Sequence, residues 1–410
     1  MTVEEQILPR VSVPRSLIGD ADRFGGACHG DMVTGDLILR GGHAVAMRAS
    51  DQRPERLVVP ALVEPHVHLD KCHSVDRIAD VGGDLMAAIT AQAKDREFWT
   101  RADLHHRAGQ GLRELRRAGC DVIRTHIDWH DSEDGGAAPI AWSVLGEITA
   151  DLPVGLRLER AALTGVDRLA DPDWAKACAT RMARDDGVLG AFVLGHARQA
   201  DGLRNAFVEA DRLGLKLDFH VDESLDPTLT GVETIADIAL ETGFQGPILM
   251  GHASALSMLL QSDVARVADK LAKANITLCA LPSTNLYLQG RDPFQPGGRG
   301  LTPINALRRA GVRVVLGTDN VRDAFCPLGR HDPRESLKLA VLAAHLDPPF
   351  GEHLPMITTQ ARVGLGLPPR TVDGAAIGDL ILFDAPSVSA WLTDDMPANA
   401  LTDALTGDRI

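Results

Sequence analysis

The stretch Leu57-Val-Val-Pro-Ala-Leu-Val-Glu-Pro-His-Val-His-Leu-Asp70 decides how the rest of this 410-residue chain is read. An apolar run that ends in two histidines spaced i, i+2 reads as a strand whose tip turns both imidazoles to one face. His66 and His68 can therefore hold one ion. Other apolar runs end in the same kind of chemistry. His220 closes Leu215-Lys-Leu-Asp-Phe, with Glu223 three residues on; His252 follows Met250-Gly, and Asp319 follows Val314-Val-Leu-Gly-Thr. If these runs are parallel strands of one barrel, all these side chains converge at one mouth.

The spacing supports that condition. Candidate strands fall at 57–63, 121–127, 153–158, 188–194, 215–221, 247–250, 276–281 and 312–317, with amphipathic helical stretches such as 103–118, 203–213 and 263–274 between them. Eight strands alternating with helices imply a parallel sheet, and over about 300 residues they fit an α/β fold, the (β/α)8 TIM barrel. In such barrels reactive groups lie at the C-terminal ends of strands, where His66, His68, His126, His220, His252 and Asp319 all fall. The ends of the chain read differently. Residues 36–47 alternate apolar and polar around Gly41-Gly42, as a hairpin does, and a similar pattern returns at 376–384. The expected organisation is a small β-sandwich domain from residues 1–58 and 370–410, and a catalytic barrel from residues 59–369.

Composition narrows the class of partner. The chain is 45% apolar and 24% charged, with a formal net charge of -14. That balance argues against nucleic acid, whose binding rests on clustered Lys and Arg, and favours a small-molecule ligand. No stretch approaches the ~20 apolar residues of a membrane span, and the first residues carry no apolar signal core. Six cysteines without a CxxC or paired framework read as reduced thiols, so the expected location is cytoplasmic.

Around one ion, three imidazoles and a carboxylate leave a position open for water, whose pKa then falls toward about 7. Zn²⁺ and Fe²⁺ both suit imidazole. Glu223 is placed to act as acid and base over such a site. His252 is open to two roles, as a ligand or as a hydrogen-bond partner of bound water or substrate. Asp319 is costly to bury without a cation and is open to binding the ion, taking a proton from its water, or both. Arg124, His126 and Asp128 share one strand face as supporting groups, with His126 also a candidate substrate contact.

Together, Val63–Asp70, Ile123–Asp128, Phe219–Glu223, Gly251-His252, Asn285–Arg291 and Gly317–Gly329 resemble the amidohydrolase superfamily, and within it the bacterial cytosine deaminase-like branch. The resemblance covers most of the chain. It implies one divalent ion, Zn²⁺ or Fe²⁺, on His66, His68, His220 and Asp319. It implies that Glu223 moves protons between attacking water, ring nitrogen and leaving amine, and that His252 orients the hydroxide. The implied activity is deamination of an aminated heterocycle, a cytosine-like pyrimidine or a related ring, with release of ammonia. Rival readings on the same scaffold are an N-alkylaminotriazine amidohydrolase, a cyclic-amide hydrolase and, more remotely, a non-catalytic barrel.

Several positions depart from the branch. Arg160, in Leu158-Glu-Arg-Ala-Ala-Leu163, stands in the region of a ring-reading glutamine. Lys71 replaces Thr, Asn320 replaces a second Asp, and Phe325 replaces a typical Trp. Lys71, His126, Arg160, Asn320, Phe325 and Gln289 are the candidate substrate contacts. Gln289 and Arg291 lie in a Gly-rich loop at 290–300, a candidate lid or contact in a homo-oligomer.

Overall fold

The computed structural model describes residues 5–79, 81–129, 133–291 and 298–402. The outer ends of the expected terminal domain and the middle of the 290–300 loop lie outside the described residues. Two sheets organise the rest. Strands β1 (Glu5–Pro14), β2 (Ala27–His29), β3 (Met32–Arg40), β4 (His43–Arg48) and β5 (Arg56–Pro60) open the chain. The barrel follows: β6 (Leu62–Val67), β7 (Cys120–Asp128), β8 (Arg157–Gly165), β9 (Val188–Val193), β10 (Leu217–Val221), β11 (Ile248–His252), β12 (Thr277–Ala280) and β13 (Arg313–Leu316). Strands β14 (Leu380–Phe383) and β15 (Asn399–Ala400) return to the first sheet.

The eight barrel strands run parallel in sequence order. The circle closes where the Asp319 N–H donates to the His66 carbonyl oxygen at 2.9 Å. The hairpin expected around Gly41-Gly42 is present as β3 and β4, and both glycines have positive φ, which suits a tight turn. The terminal strands assemble as expected from both ends, in one hydrogen-bonded sheet of seven strands among the described residues.

Two strand boundaries differ from expectation for local reasons. The run 57–63 is two strands, because Pro60 has no N–H to continue a ladder. Its first half pairs with β14, and from Leu62 the chain enters the barrel, pairing with β7. The run 153–158 is mostly a turn: Gly155 has φ 94° and the Leu156 N–H donates to the Pro153 carbonyl. The strand starts at Arg157 and extends to Gly165. This shift of about one turn's length matters for Arg160, as described below.

The barrel interior is layered. Val63, Val122, Leu249, Cys279 and Val315 pack with Ala361 and Leu365 in an apolar floor. Above it sits a charged layer. Arg124, fully buried, donates to Glu159 Oε2 at 2.6 and 3.0 Å and to Asp218 Oδ2 at 2.8 Å. Lys216 Nζ reaches Glu159 Oε1 at 2.6 Å. Buried charges persist only when paired in this way. The reactive layer lies on top of it.

Candidate metal centre and active site

His66 and His68 project from the end of β6, His220 from β10, and Asp319 follows β13. Their donor atoms converge. His220 Nε2 lies 3.1 Å from His66 Nε2 and 3.0 Å from His68 Nε2. Asp319 Oδ1 lies 3.4 Å from His66 Nε2 and 3.2 Å from His68 Nε2. One proton cannot satisfy His220 Nε2 against two imidazole nitrogens at once, whereas one cation satisfies all four donors. Metal–nitrogen bonds of about 2.0–2.1 Å that subtend roughly 90–110° at the ion place donors about 2.9–3.4 Å apart, which matches and leaves a further position for water. Asp319 Oδ2 has no hydrogen-bond donor, although the residue is fully buried. The residues fit a divalent ion.

The electrostatics agree. Burial lowers the pKa of His66, of His68 to about 3, and of His220 far below its usual value. All three imidazoles are thus neutral, as ligands must be. Burial opposes ionisation of Asp319, yet His66 and His68 hold its carboxyl well below the usual range. Asp319 has φ 60°, and His252 and Asp222 have φ 67° and 48°. Such left-handed non-glycine residues are costly and cluster at sites where side chains must be aimed. Asp222 spends its carboxylate on the N–H groups of Gly231 and Val232, capping the next helix, which leaves Glu223 facing the cavity.

Glu223 is buried, and burial, partly offset by His252, pushes its carboxyl up to about 7. It can therefore hold or release a proton at neutral pH. Its Oε1 lies 3.4 Å from His252 Nδ1, and that nitrogen is 3.0 Å from Asn285 Oδ1. Gln289 Nε2 donates to the Glu223 carbonyl at 3.1 Å, positioning its backbone. The His252 Nε2 has no hydrogen-bond partner, which leaves it available to the site.

A cavity of about 450 Å³ opens above these groups, within the ~300–1,000 Å³ range of small-ligand sites. Of the expected substrate contacts, Lys71, Asn320 and Phe325 line it. The Lys71 ammonium pairs with Asp128 Oδ1 at 2.7 Å and lies 5.2 Å from the centre of the Phe325 ring. Asn320 donates its amide N–H to Asp323 at 2.6 Å.

The other three expected contacts fall elsewhere. Gln289 serves the backbone of Glu223. His126 lies beside the His66 imidazole, its Nε2 2.9 Å from Asp218 Oδ1 and its ring centre 4.0 Å from that of His66, tilted by 33°. Arg160 is a correction. It faces outward from β8, donates to the carbonyls of Trp142 and Asp185 at 3.0 and 2.8 Å, and stacks on the Trp142 ring. The later strand register puts Leu163, Thr164 and Gly165 at the mouth in its stead.

A model of the amidohydrolase family matches residues 100–389. The chain is 33% identical over 364 residues to a pterin deaminase of Rhizobium rhizogenes, covering 87% of this chain and 81% of that protein. This chain belongs to the amidohydrolase family. The expectation of an enzyme that hydrolyses C–N bonds stands with it. The fold is shared with a 5-methylcytosine deaminase from Klebsiella pneumoniae liganded with 5-fluorocytosine. That likeness has a TM-score of 0.76 at 21% identity, over 94% of this chain and 93% of that one. It is also shared with an N-isopropylammelide isopropylaminohydrolase from Burkholderia multivorans, TM-score 0.69 at 20% identity, over 97% and 94%.

The amidohydrolase site includes residues that sequence reading passed over. Gln92 and Arg96 line the cavity from helix Leu85–Arg96, and Arg96 joins Lys71 on Asp128. The available signal was the length of chain between His68 and the helix at Arg101, long for a strand-to-helix connection and so a candidate binding loop. Glu64 accepts from the N–H groups of His66 and Thr318, lacing the first barrel strand to the last, and burial raises it to about 8.

Proposed function

We propose that this amidohydrolase is a metal-dependent deaminase of a flat aminated heterocycle, with pterins as the leading substrate class. The observation that carries the reading is Glu223, a buried carboxyl poised near pH 7 beside a four-donor cation site and open to the cavity. The pterin deaminase relative supports the ring class. The cavity supports it as well: Phe192, Phe325 and Trp129 among its walls offer apolar faces to a planar ring.

His66, His68, His220 and Asp319 would hold a divalent ion, which would supply a water acidified toward pKa ~7 as nucleophile. Glu223 takes up the proton of the attacking water and delivers it to the ring nitrogen next to the amino-bearing carbon. A second transfer through Glu223 lets the amine leave as ammonia. His252, its Nδ1 tied to Asn285, keeps Nε2 directed at the reacting centre. Asn320, Phe325 and the Lys71–Asp128–Arg96 group set the orientation of the ring. The six free cysteines support action in a reducing compartment, the cytosol.

The test is product release by metal-reconstituted enzyme from pterins, cytosine, isocytosine, 5-methylcytosine, creatinine and aminotriazines. Ammonia from pterins with the highest kcat/KM supports the proposal. Ammonia from pyrimidines alone rejects the ring class. An alkylamine from N-alkylaminotriazines, or a ring-opened acid, transfers the assignment to the rival chemistries.

A further inference from the structure

Behind the cavity wall, three segments meet at a second cluster of donor groups. Cys72 and His73 follow Lys71 in the loop after β6, His331 precedes helix Pro333–Ala343, and Glu114 belongs to helix Arg101–Ala118. The Cys72 Sγ and one ring nitrogen each of His73 and His331 lie within 4.8 Å of one another. His331 is fully buried; its Nδ1 is 3.0 Å from Glu114 Oε2 and its Nε2 has no partner. The His73 side chain is 5% exposed, and neither of its ring nitrogens makes a hydrogen bond. Its nearest ionic neighbour is Glu114 Oε1, 3.6 Å from Nε2. Buried polar groups left unpaired are rare and call for a partner.

The surroundings are shaped to keep these groups together. A Cβ at Gly111 would lie 3.0 Å from His331 Cε1, so this mid-helix glycine, unfavourable against alanine in a helix, makes the room His331 occupies. His73 holds φ at 56° and Arg322, which pairs with Glu114, holds φ at 51°. The two loops are already laced: the His73 N–H donates to the Val321 carbonyl and the Val75 N–H to that of Arg322.

We propose that Cys72, His73 and His331 bind a second Zn²⁺, distinct from an ion on His66, His68, His220 and Asp319. Glu114 accepts the Nδ1–H of His331 and so fixes Nε2 as the donor, an arrangement that recurs behind metal-bound histidines. One thiolate with two imidazoles is a donor set that suits zinc, with a water in the fourth position. Ligand separations in such a site are about 3.4–3.6 Å, so from donors within 4.8 Å of one another the side chains need to close by no more than about 1.4 Å. Binding forms a Zn–S bond and releases the Cys72 thiol proton to solvent. The ion would pin the loop carrying Lys71 to the loop carrying Asn320 and Phe325, stiffening two walls of the substrate cavity without touching the reacting atoms.

Cobalt(II) titration of the apoprotein tests this, because the catalytic donor set contains no thiolate. The measurement uses a Cys28→Ser background, since Cys28 is the exposed thiol. The expected result is two cobalt ions per chain, a near-ultraviolet thiolate-to-cobalt band that rises with one of them, and loss of that band and of one ion in Cys72→Ser. One ion per chain with no such band overturns the proposal. If Cys72→Ser fails to fold, His331→Gln carries the same readout, and a band that persists unchanged there overturns it equally.

Discussion

The backbone N–H of Asp319 donates to the carbonyl oxygen of His66 at 2.9 Å, and their side chains approach to 3.4 Å between Oδ1 and Nε2. The bond that closes the barrel and the contact that closes the cation site are thus made by one pair of residues. The carboxylate is not needed for the backbone bond. Asp319→Asn should therefore retain the fold, seen as unchanged far-ultraviolet circular dichroism. Its zinc affinity should fall by more than the ~10–100-fold that supporting partners of a ligand cost, with activity falling alongside. Full zinc occupancy in the variant would remove Asp319 from the ligand set.

The proposed function gives the proton transfers to Glu223. Glu223→Gln keeps the shape of the side chain and removes its basicity, so kcat should fall by roughly 10²–10⁴-fold, the usual scale of general acid–base catalysis. Metal content should not change, because Glu223 is not among the four converging donors. A variant with near-native kcat would assign the proton chemistry to another group.

The state of that carboxyl is itself measurable. Burial holds it near 7 in the protein without metal, and a nearby divalent cation favours the charged form. Infrared titration of the metal-free protein should show a carboxyl with a midpoint near 7 that is missing in Glu223→Gln. Adding zinc should move the midpoint downward. An upward shift or none would mean that Glu223 does not face the ion.

How far the sequence could be read depended on whether a residue's face was set by short-range pattern. His66, His68, His220, His252 and Asp319 each follow an apolar run directly, so the strand end locates them and the barrel brings them together. Arg160 shows where such reading fails. Its orientation depends on where β8 begins, and Pro153-Val-Gly155 was read as strand where Gly155 adopts φ 94° and turns the chain. A few residues' difference moved Leu163–Gly165 to the mouth and left Arg160 mid-strand. Because side chains alternate faces, it lies against Trp142 on the helix side. Arg96 and Gln92 come from a helix inserted after the first barrel strand, and only tertiary packing brings them over the cavity. The split at Pro60 was local in cause, yet the choice between two sheets rests on β14, more than 300 residues downstream.

Arg160→Met follows from that placement. Its guanidinium satisfies two backbone carbonyls outside the cavity, so kcat and KM should both stay within about twofold of the parent. Stability should drop by about 1–3 kcal/mol, the cost of leaving partly buried acceptors unpaired, read from urea unfolding. A selective rise in KM with unchanged stability would return Arg160 to the substrate site.

The charged layer under the converging histidines gives the protein an acid limit. Burial works against the ionised forms of Glu159 and Asp218, but Arg124 and Lys216 on Glu159, and His126 followed by Arg124 on Asp218, more than offset it and hold both carboxyls at about 2. Their folded values lie below the ordinary ones of about 4.3 and 3.9. The stabilisation is therefore complete above pH ~4.5 and is lost as the pH falls toward 2. Thermal unfolding from pH 6 to pH 2.5 should show a steep fall in Tm beginning near pH 4.5. Arg124→Met removes the common partner and leaves two buried carboxylates, so it should cost about 3–5 kcal/mol at pH 7. Protonation then relieves the variant instead of harming it, and the Tm difference between the two proteins should narrow as the pH drops. A constant difference across that range would mean that Arg124 acts through packing and not through its charge.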